Sequence, residues 1–354
     1  MDSQKISIGL FSSDDGIAIG VASKKLLIYP DHNIWINLAE RSLDVAEKCR
    51  VAVRTGNVLF PVSTAAVTEV LEQTDSKQRC HVASLMDDLC GGISFRPSSY
   101  IHALESDLPL NVLLGSPTDS LTRDRVLCWI AECFARMKLV FPPSWDRTKA
   151  ESFTNQLARK PEVRSVRWLV ENFPVDKMRP LQAEWEKHFV ERTKASVAEG
   201  VSLVQNLAKD ARWKRLLFEE RHWAYKEYVR PRMRKSITEA VGEENLVKTM
   251  ANILRRVGLG SEDRFNRIMA VMPSLDLFCH IMVERRRDPM RKVYKQDFCD
   301  VEHAIVGSVY ADVFVTSDGH LFDLLTNRCS VSAARGCRVV KGVQGLEEVL
   351  KSCK

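Results

Sequence analysis

Short apolar runs followed by helix-like periodicity occur at both ends of this 354-residue chain and almost nowhere between. That distribution constrains the fold more than any single motif. In the first third, KKLLIYP (24–30), NVLFPVS (57–63) and ISF (93–95) each read as a buried strand. Apolar residues recur at helical spacing at Ile34, Leu38, Val45, Cys49 and Val53, which predicts one helix over 34–54 stopped by Gly56. Further helices follow at TAAVTEVLEQ (64–73) and over 76–90, the latter ended by Gly91-Gly92. The order β-α-β-α-α-β opens a parallel α/β sheet. The same texture returns near the end, with a helix at 298–310, strand DVFVT, a short helix at 320–326, strand CRVVK and a closing helix at 344–352.

The middle of the chain differs. Glycine becomes rare there, helical periodicity dominates and six of the seven tryptophans occur there. Helices are expected over 121–140, 148–158, 163–171, 180–208, 210–229, 244–257 and 261–285, punctuated by Pro142-Pro143, Pro161, Pro180, Pro231 and Pro273. In residues 1–25, ISIGLF and GIAIGVA flank the turn signal SSDDG and read as a β-hairpin. The expected organisation is an appendage at 1–25, an α/β domain at 26–110 and 291–354, and a helical insertion at 111–290.

Composition narrows the class without naming it. Hydrophobic content of 45% and charged content of 28% are those of an ordinary soluble globular protein, and a net charge of +6 permits a polyanionic partner without requiring one. The ten cysteines include no C-x-x-C pair, which reads as reduced cytosolic thiols rather than a disulfide framework or zinc site. No signal peptide is expected at the start, and no apolar run is long enough to span a membrane. The expectation is a cytoplasmic protein.

Four acidic residues sit where an apolar strand meets a helix or turn: Asp31 after LLIY, Glu69 past VLFPVS, Asp300 opening DVEHAIVGSVYA and Asp318 after DVFVTS. Singly, each has a plain structural role as a helix cap, a solvated helix residue or a turn former. In a parallel α/β sheet, however, the carboxyl ends of the strands converge on one rim where ligands bind. Carboxylates gathered there repel one another unless a hard cation lies among them, and an all-oxygen set suits Mg²⁺ or Mn²⁺.

In this order the motifs resemble the PIN-domain nucleases. The first strand closes as Y-P-D-H-N-I-W, and the helix after the second strand carries its glutamate in S-T-A-A-V-T-E. The end of the chain reads D-V-E-H-A-I-V-G-S-V-Y-A-D-V-F-V-T-S-D-G-H-L-F, the most specific part of the likeness. The resemblance covers roughly 26–110 and 291–354, a little under half the chain. The chain departs from the pattern at Pro30 and in the length of its insertion. What the resemblance implies is a PIN-like parallel sheet sandwiched by helices. It also implies an endoribonuclease whose Asp31, Glu69, Asp300 and Asp318 hold Mg²⁺ or Mn²⁺, leaving 5′-phosphate and 3′-hydroxyl products. Around these, Asn33 is expected to orient Asp31, and Ser63 or Thr316 to bond a carboxylate or phosphate oxygen. Asp297 reads as the cap of the helix that Asp300 opens, or as a fifth carboxylate. His303 lies three residues after Asp300 on the same helix face.

Residues 209–235 carry ten Lys/Arg against four Asp/Glu, a net of +6, with Trp213, Trp223, Tyr225 and Tyr228 interleaved. Cations beside aromatic faces suit single-stranded nucleic acid, and the same spacing also suits the apolar face of packed helices. Trp213, Arg230, Arg285, Arg286, Arg287, Arg291 and Lys292 are the candidate substrate contacts. The expected partner is nucleic acid, single-stranded or structured RNA ahead of DNA, with an inhibitory or partner protein and a homodimer both compatible. Two alternatives stand beside the ribonuclease: an inactive PIN-like scaffold that binds a protein, and a structure-specific DNA nuclease using the insertion as a clamp.

Overall fold

The apolar runs at the two ends of the chain build one parallel sheet. The computed structural model describes residues 16–109, 121–130, 165–172, 209–245, 268–287, 296–329 and 336–353, with shorter pieces between them. Ser7–Ile8 is a short strand (β1) and Gly16–Ala22 a helix (α1). Leu26–Pro30 (β2) leads into His32–Glu40 (α2) and Leu43–Arg54 (α3). Val58–Leu59 (β3) leads into Thr64–Glu72 (α4) and Ser76–Cys90 (α5), and Ile93–Phe95 (β4) into Ser98–Glu105 (α6). Arg123–Val126 (α7), Leu127–Trp129 (β5), Leu139–Val140 (β6) and Val166–Asn172 (α8) come next. Lys209–Ala224 (α9), a π turn at Tyr225–Val229, Arg230–Val241 (α10) and Pro273–Arg287 (α11) form the helical part. Gln296–Tyr310 (α12), Val313–Thr316 (β7), Gly319–Asp323 (α13), a π turn at Leu324–Arg328, Arg338–Lys341 (β8) and Gly342–Ser352 (α14) complete it.

The sheet runs β3-β2-β7-β8 with every neighbouring pair parallel. A parallel bridge between Val62 and Ser94 brings β4 to the β3 edge. Successive strand side chains point to opposite faces. Ile28, Val313 and Val315 therefore join the cluster under α2, α3, α5 and α14, while Leu27, Tyr29 and Phe314 join the one under α6 and α12. Helices cover both faces, as a parallel sheet requires. Helix starts are set locally: Asp31, Ser63 and Asp75 accept from the N–H of Ile34, Ala66, and Lys77 with Gln78, each cap being worth about 1 kcal/mol.

Several expectations are corrected. GIAIGVA is a helix rather than half of a hairpin: Ile19 and Ala22, three apart, are buried together, and β1 pairs instead with β6. The helix expected over 34–54 breaks at Arg41-Ser42, where both backbone N–H groups turn back to the Asn37 carbonyl and the Ser42 hydroxyl donates to its side chain. The helix expected over 121–140 yields instead to β5, because the open edge of β4 offers Leu127–Trp129 an antiparallel ladder. Pro231 does not end its helix. A π turn precedes it, with the Arg230 N–H donating to the Tyr225 carbonyl five residues back, so the missing proline N–H is accommodated. The helix expected over 261–285 is broken at Val271-Met272, and Pro273 opens α11.

Helix α11 joins the helical part to the sheet. One side packs on Leu216, Leu217, Val229 and Met233 of the α9–α10 run, and the other packs on α6 and α12. Glu105, wholly buried at the end of α6, accepts from the Ser274 N–H and hydroxyl, the Leu275 N–H and the Tyr310 hydroxyl, tying α6, α11 and α12 together. One turn earlier, His102 is buried edge-on to the rings of Tyr228 and Phe278 at 5.6 and 6.1 Å. Burial pushes its pKa down to about 4. The unfolded chain takes up a proton near pH 6.5 that the folded chain refuses, so this contribution to stability is complete above 6.5 and is lost toward pH 4. Urea unfolding should show about 2 kcal/mol less stability at pH 5 than at pH 7 from this group, and His102→Gln should remove that difference. An unchanged slope in the variant would contradict the assignment.

Candidate active site

Chain connectivity reverses beside β2. The chain leaves β2 for β3 on one side and returns, after the helical part, to β7 on the other. In such sheets the crevice outside the carboxyl ends of these two strands is where ligands bind. Asp31 follows β2 directly, and Thr316, Ser317 and Asp318 end β7 or follow it.

Asp31 is buried and fully engaged. Its Oδ1 accepts from the Ile34 N–H at 2.9 Å, and its Oδ2 accepts from the Thr316 hydroxyl at 2.6 Å and the Ser317 N–H at 3.1 Å. Burial raises its pKa, with these donors opposing. The ladder continues past Pro30, because the Asp31 N–H donates to the Val315 carbonyl. Thr316 therefore does hold a carboxylate. Asn33 does not: it is exposed, and the three donors to Asp31 come from elsewhere. Asp318 caps α13 through the N–H groups of His320 and Leu321 at 2.6 and 2.8 Å.

On the other side of the crevice, α12 presents Asp300 and, one turn on, His303. The imidazole is buried and bonded at both nitrogens, Nε2 to Glu69 Oε2 at 2.6 Å and Nδ1 to the Tyr29 hydroxyl at 2.7 Å. Tyr29 is bonded in turn to Ser63, which also caps α4, so Ser63 reaches no carboxylate directly. Burial works to lower the His303 pKa, and Glu69, Asp31 and Asp300 outweigh it. Burial works to raise Glu69, and His303 outweighs it. The imidazole thus takes up much of the negative charge that Glu69 brings to the site.

Asp300 is the exception. Burial first, then the charges of Asp318, Glu69 and Asp297, push its pKa up to about 6. It lines a shallow cleft with Asp318 and His320, walled by Arg285 and by Ile281, Leu321 and Leu324. Asp297 is neither a helix cap nor a cleft ligand. Asp297 lies inside α12 (Gln296–Tyr310), buried against Arg285 at 3.2 Å.

The basic candidates divide. Arg285 is committed to Asp297, and Arg286 to buried Glu220 at 2.8 Å. The Trp213 indole donates to Glu284 at 3.2 Å and packs against the His280 ring, whereas Arg230 is exposed. Arg291, Lys292 and the side chain of Arg287 lie outside the described residues. Tyr29, His32 and Gln73 went unnoticed in the sequence. His32 follows Asp31 directly, its Nε2 lies 3.1 Å from Gln73 Nε2, and burial lowers its pKa with Glu69 opposing. A hydroxyl within the otherwise apolar run LLIYP was the available signal for Tyr29.

All four acids are hard oxygen donors, the chemistry Mg²⁺ and Mn²⁺ prefer. Among the described residues no three His, Cys, Asp or Glu side chains stand close enough together to hold a metal ion. Glu69 is engaged by His303, and Asp31 by Thr316, Ser317 and Ile34. No protein-family model, curated protein or solved structure matches the chain.

Proposed function

We propose that the chain is a divalent-metal-dependent phosphodiesterase, an endoribonuclease with a PIN-like site. The observation that carries this reading is the position of Asp31 and Asp318 at the carboxyl ends of adjacent strands, on either side of the point where connectivity reverses. Asp300 lines the same cleft as Asp318. The order of the motifs in the chain adds the resemblance to PIN-domain nucleases.

Asp300 and Asp318 would hold Mg²⁺ or Mn²⁺, with Asp31 and Glu69 behind them. When bound, the ion supplies a water of lowered pKa and neutralises charge building on a scissile phosphate. The chain's own groups prepare the site for it. Thr316 and Ser317 fix the Asp31 carboxylate, and Tyr29, through His303, fixes Glu69. The wall of Ile281, Leu321 and Leu324 limits water on one side of the cleft.

End-labelled single-stranded RNA incubated with Mn²⁺, Mg²⁺ or EDTA tests the reading. Cleavage with either metal and none in EDTA is expected, and cleavage that survives EDTA would overturn it. A second reading, an inactive scaffold that binds a partner protein, is favoured by the engagement of Glu69 with His303. No cleavage of RNA, single-stranded DNA or branched duplex with any metal would move the assignment there.

A further inference from the structure

Helices α9 and α10 with the π turn between them make a continuous helical run over 209–241, roughly 50 Å long at 1.5 Å per residue. Its apolar side is packed on α11. Its outer side is exposed and basic, with Lys214, Arg215, Lys226, Arg230, Arg234 and Lys235 at the surface against exposed Glu227 and Glu239. Arg215 is paired with Glu219 and Lys235 with Glu239. Exposed pairs of this kind contribute little and open readily to a competing anion.

The run begins beside the acidic cleft. Trp213 contacts His280 and Glu284 of α11, and Ile281 and Arg285 of that same helix line the cleft with Asp300 and Asp318. The aromatic residues that the sequence offered for stacking are used elsewhere. Trp213, Trp223 and Tyr228 are packed against the helical core, Tyr225 is buried in it, and Tyr228 lies against His102. Half-buried Phe218 and His222 stack on each other, with Arg215 over the Phe218 ring.

From this we propose that the outer face of α9–α10 is a track for the phosphate backbone of a nucleic acid, held by charge without stacking on its bases. The proposal rests on the nuclease reading for the identity of its partner. A surface whose cations are exposed and whose rings are half-buried and packed on the core or on one another has little with which to stack a base, so affinity follows phosphates and salt.

Fluorescence anisotropy of the full chain in EDTA separates binding from cleavage. The probes are a labelled single-stranded RNA and an abasic phosphodiester chain of equal length. Both should bind the wild type within about threefold of each other, since one lost base stack alone would weaken binding about tenfold. In the combined variant Lys226→Glu, Arg230→Glu and Arg234→Glu, the slope of log K against log salt should fall by about 2, at about 0.7 per lost single-strand phosphate contact. The corresponding glutamine variant should lower it equally, which removes introduced repulsion or misfolding as the cause. An unchanged slope in both variants would overturn the track. So would an abasic chain bound more than about tenfold more weakly than RNA, or wild type that binds phosphatidylserine vesicles and not RNA. Binding that behaves as expected in a chain that never cuts would retain the track and remove the nuclease.

Discussion

Asp300→Asn should lower metal-dependent cleavage by about a hundredfold to a thousandfold, and at the same time make the folded chain more stable. The first effect follows if a carboxylate in the cleft with Asp318 supplies charge to the bound ion, because preorganised electrostatic contributions of this kind are typically the largest in catalysis. The second follows from the surroundings of Asp300. Burial and the charges of Asp318, Glu69 and Asp297 raise its pKa from 3.8 to about 6, so at pH 7 the folded chain holds an ionised carboxylate at a cost of up to about 3 kcal/mol. An amide of the same shape is relieved of that cost. Thermal unfolding in EDTA should show the variant stabilised by about 1–3 kcal/mol, with single-turnover assays showing the lost rate. A destabilised variant, or one that still cuts at the wild-type rate, would contradict the role given to this residue.

Gly307→Ala should destabilise the chain by about 3 kcal/mol and lower its unfolding midpoint by roughly 5 °C or more. Glycine at this point of α12 lets the helix press onto the sheet. A methyl group there would run into the Tyr29 ring and lie 2.6 Å from Cδ2 of Phe314. The two rings are stacked with centroids 5.9 Å apart, on strands β2 and β7 fixed by backbone pairing, so neither has an easy way to yield. Displacing Tyr29 also disturbs the hydroxyl that bonds His303 and Ser63, so Glu69 loses a well-placed partner as well. Differential scanning calorimetry checks the stability. A midpoint equal to wild type would contradict the close approach of α12 to the sheet at Gly307.

Much of the sheet was legible because its signal is local. The alternation of Leu27, Ile28 and Tyr29, and of Val313, Phe314 and Val315, places each side chain on its face, and Asp31 caps the helix that follows it. What remained hidden depends on partners far apart in the chain. Nothing in spacing says that His303 will meet Glu69 and Tyr29, or that Asp297 will meet Arg285. The fate of Leu127–Trp129 was decided by an open strand edge at Ile93–Phe95, which outweighed helical periodicity. The basic aromatic stretch carried two readings at once, and packing divided them, taking Trp213, Trp223, Tyr225 and Tyr228 for the core and leaving the lysines and arginines outside.

Direct titration with Mn²⁺, following the free-ion signal by electron paramagnetic resonance at pH 7, tests the metal site without reference to any substrate. Wild type should take up Mn²⁺ saturably and release it to excess Mg²⁺, and Asp300→Asn should take up little or none. Wild type that leaves the free signal unchanged, or a variant that binds as well as wild type, would contradict the metal site built on these carboxylates.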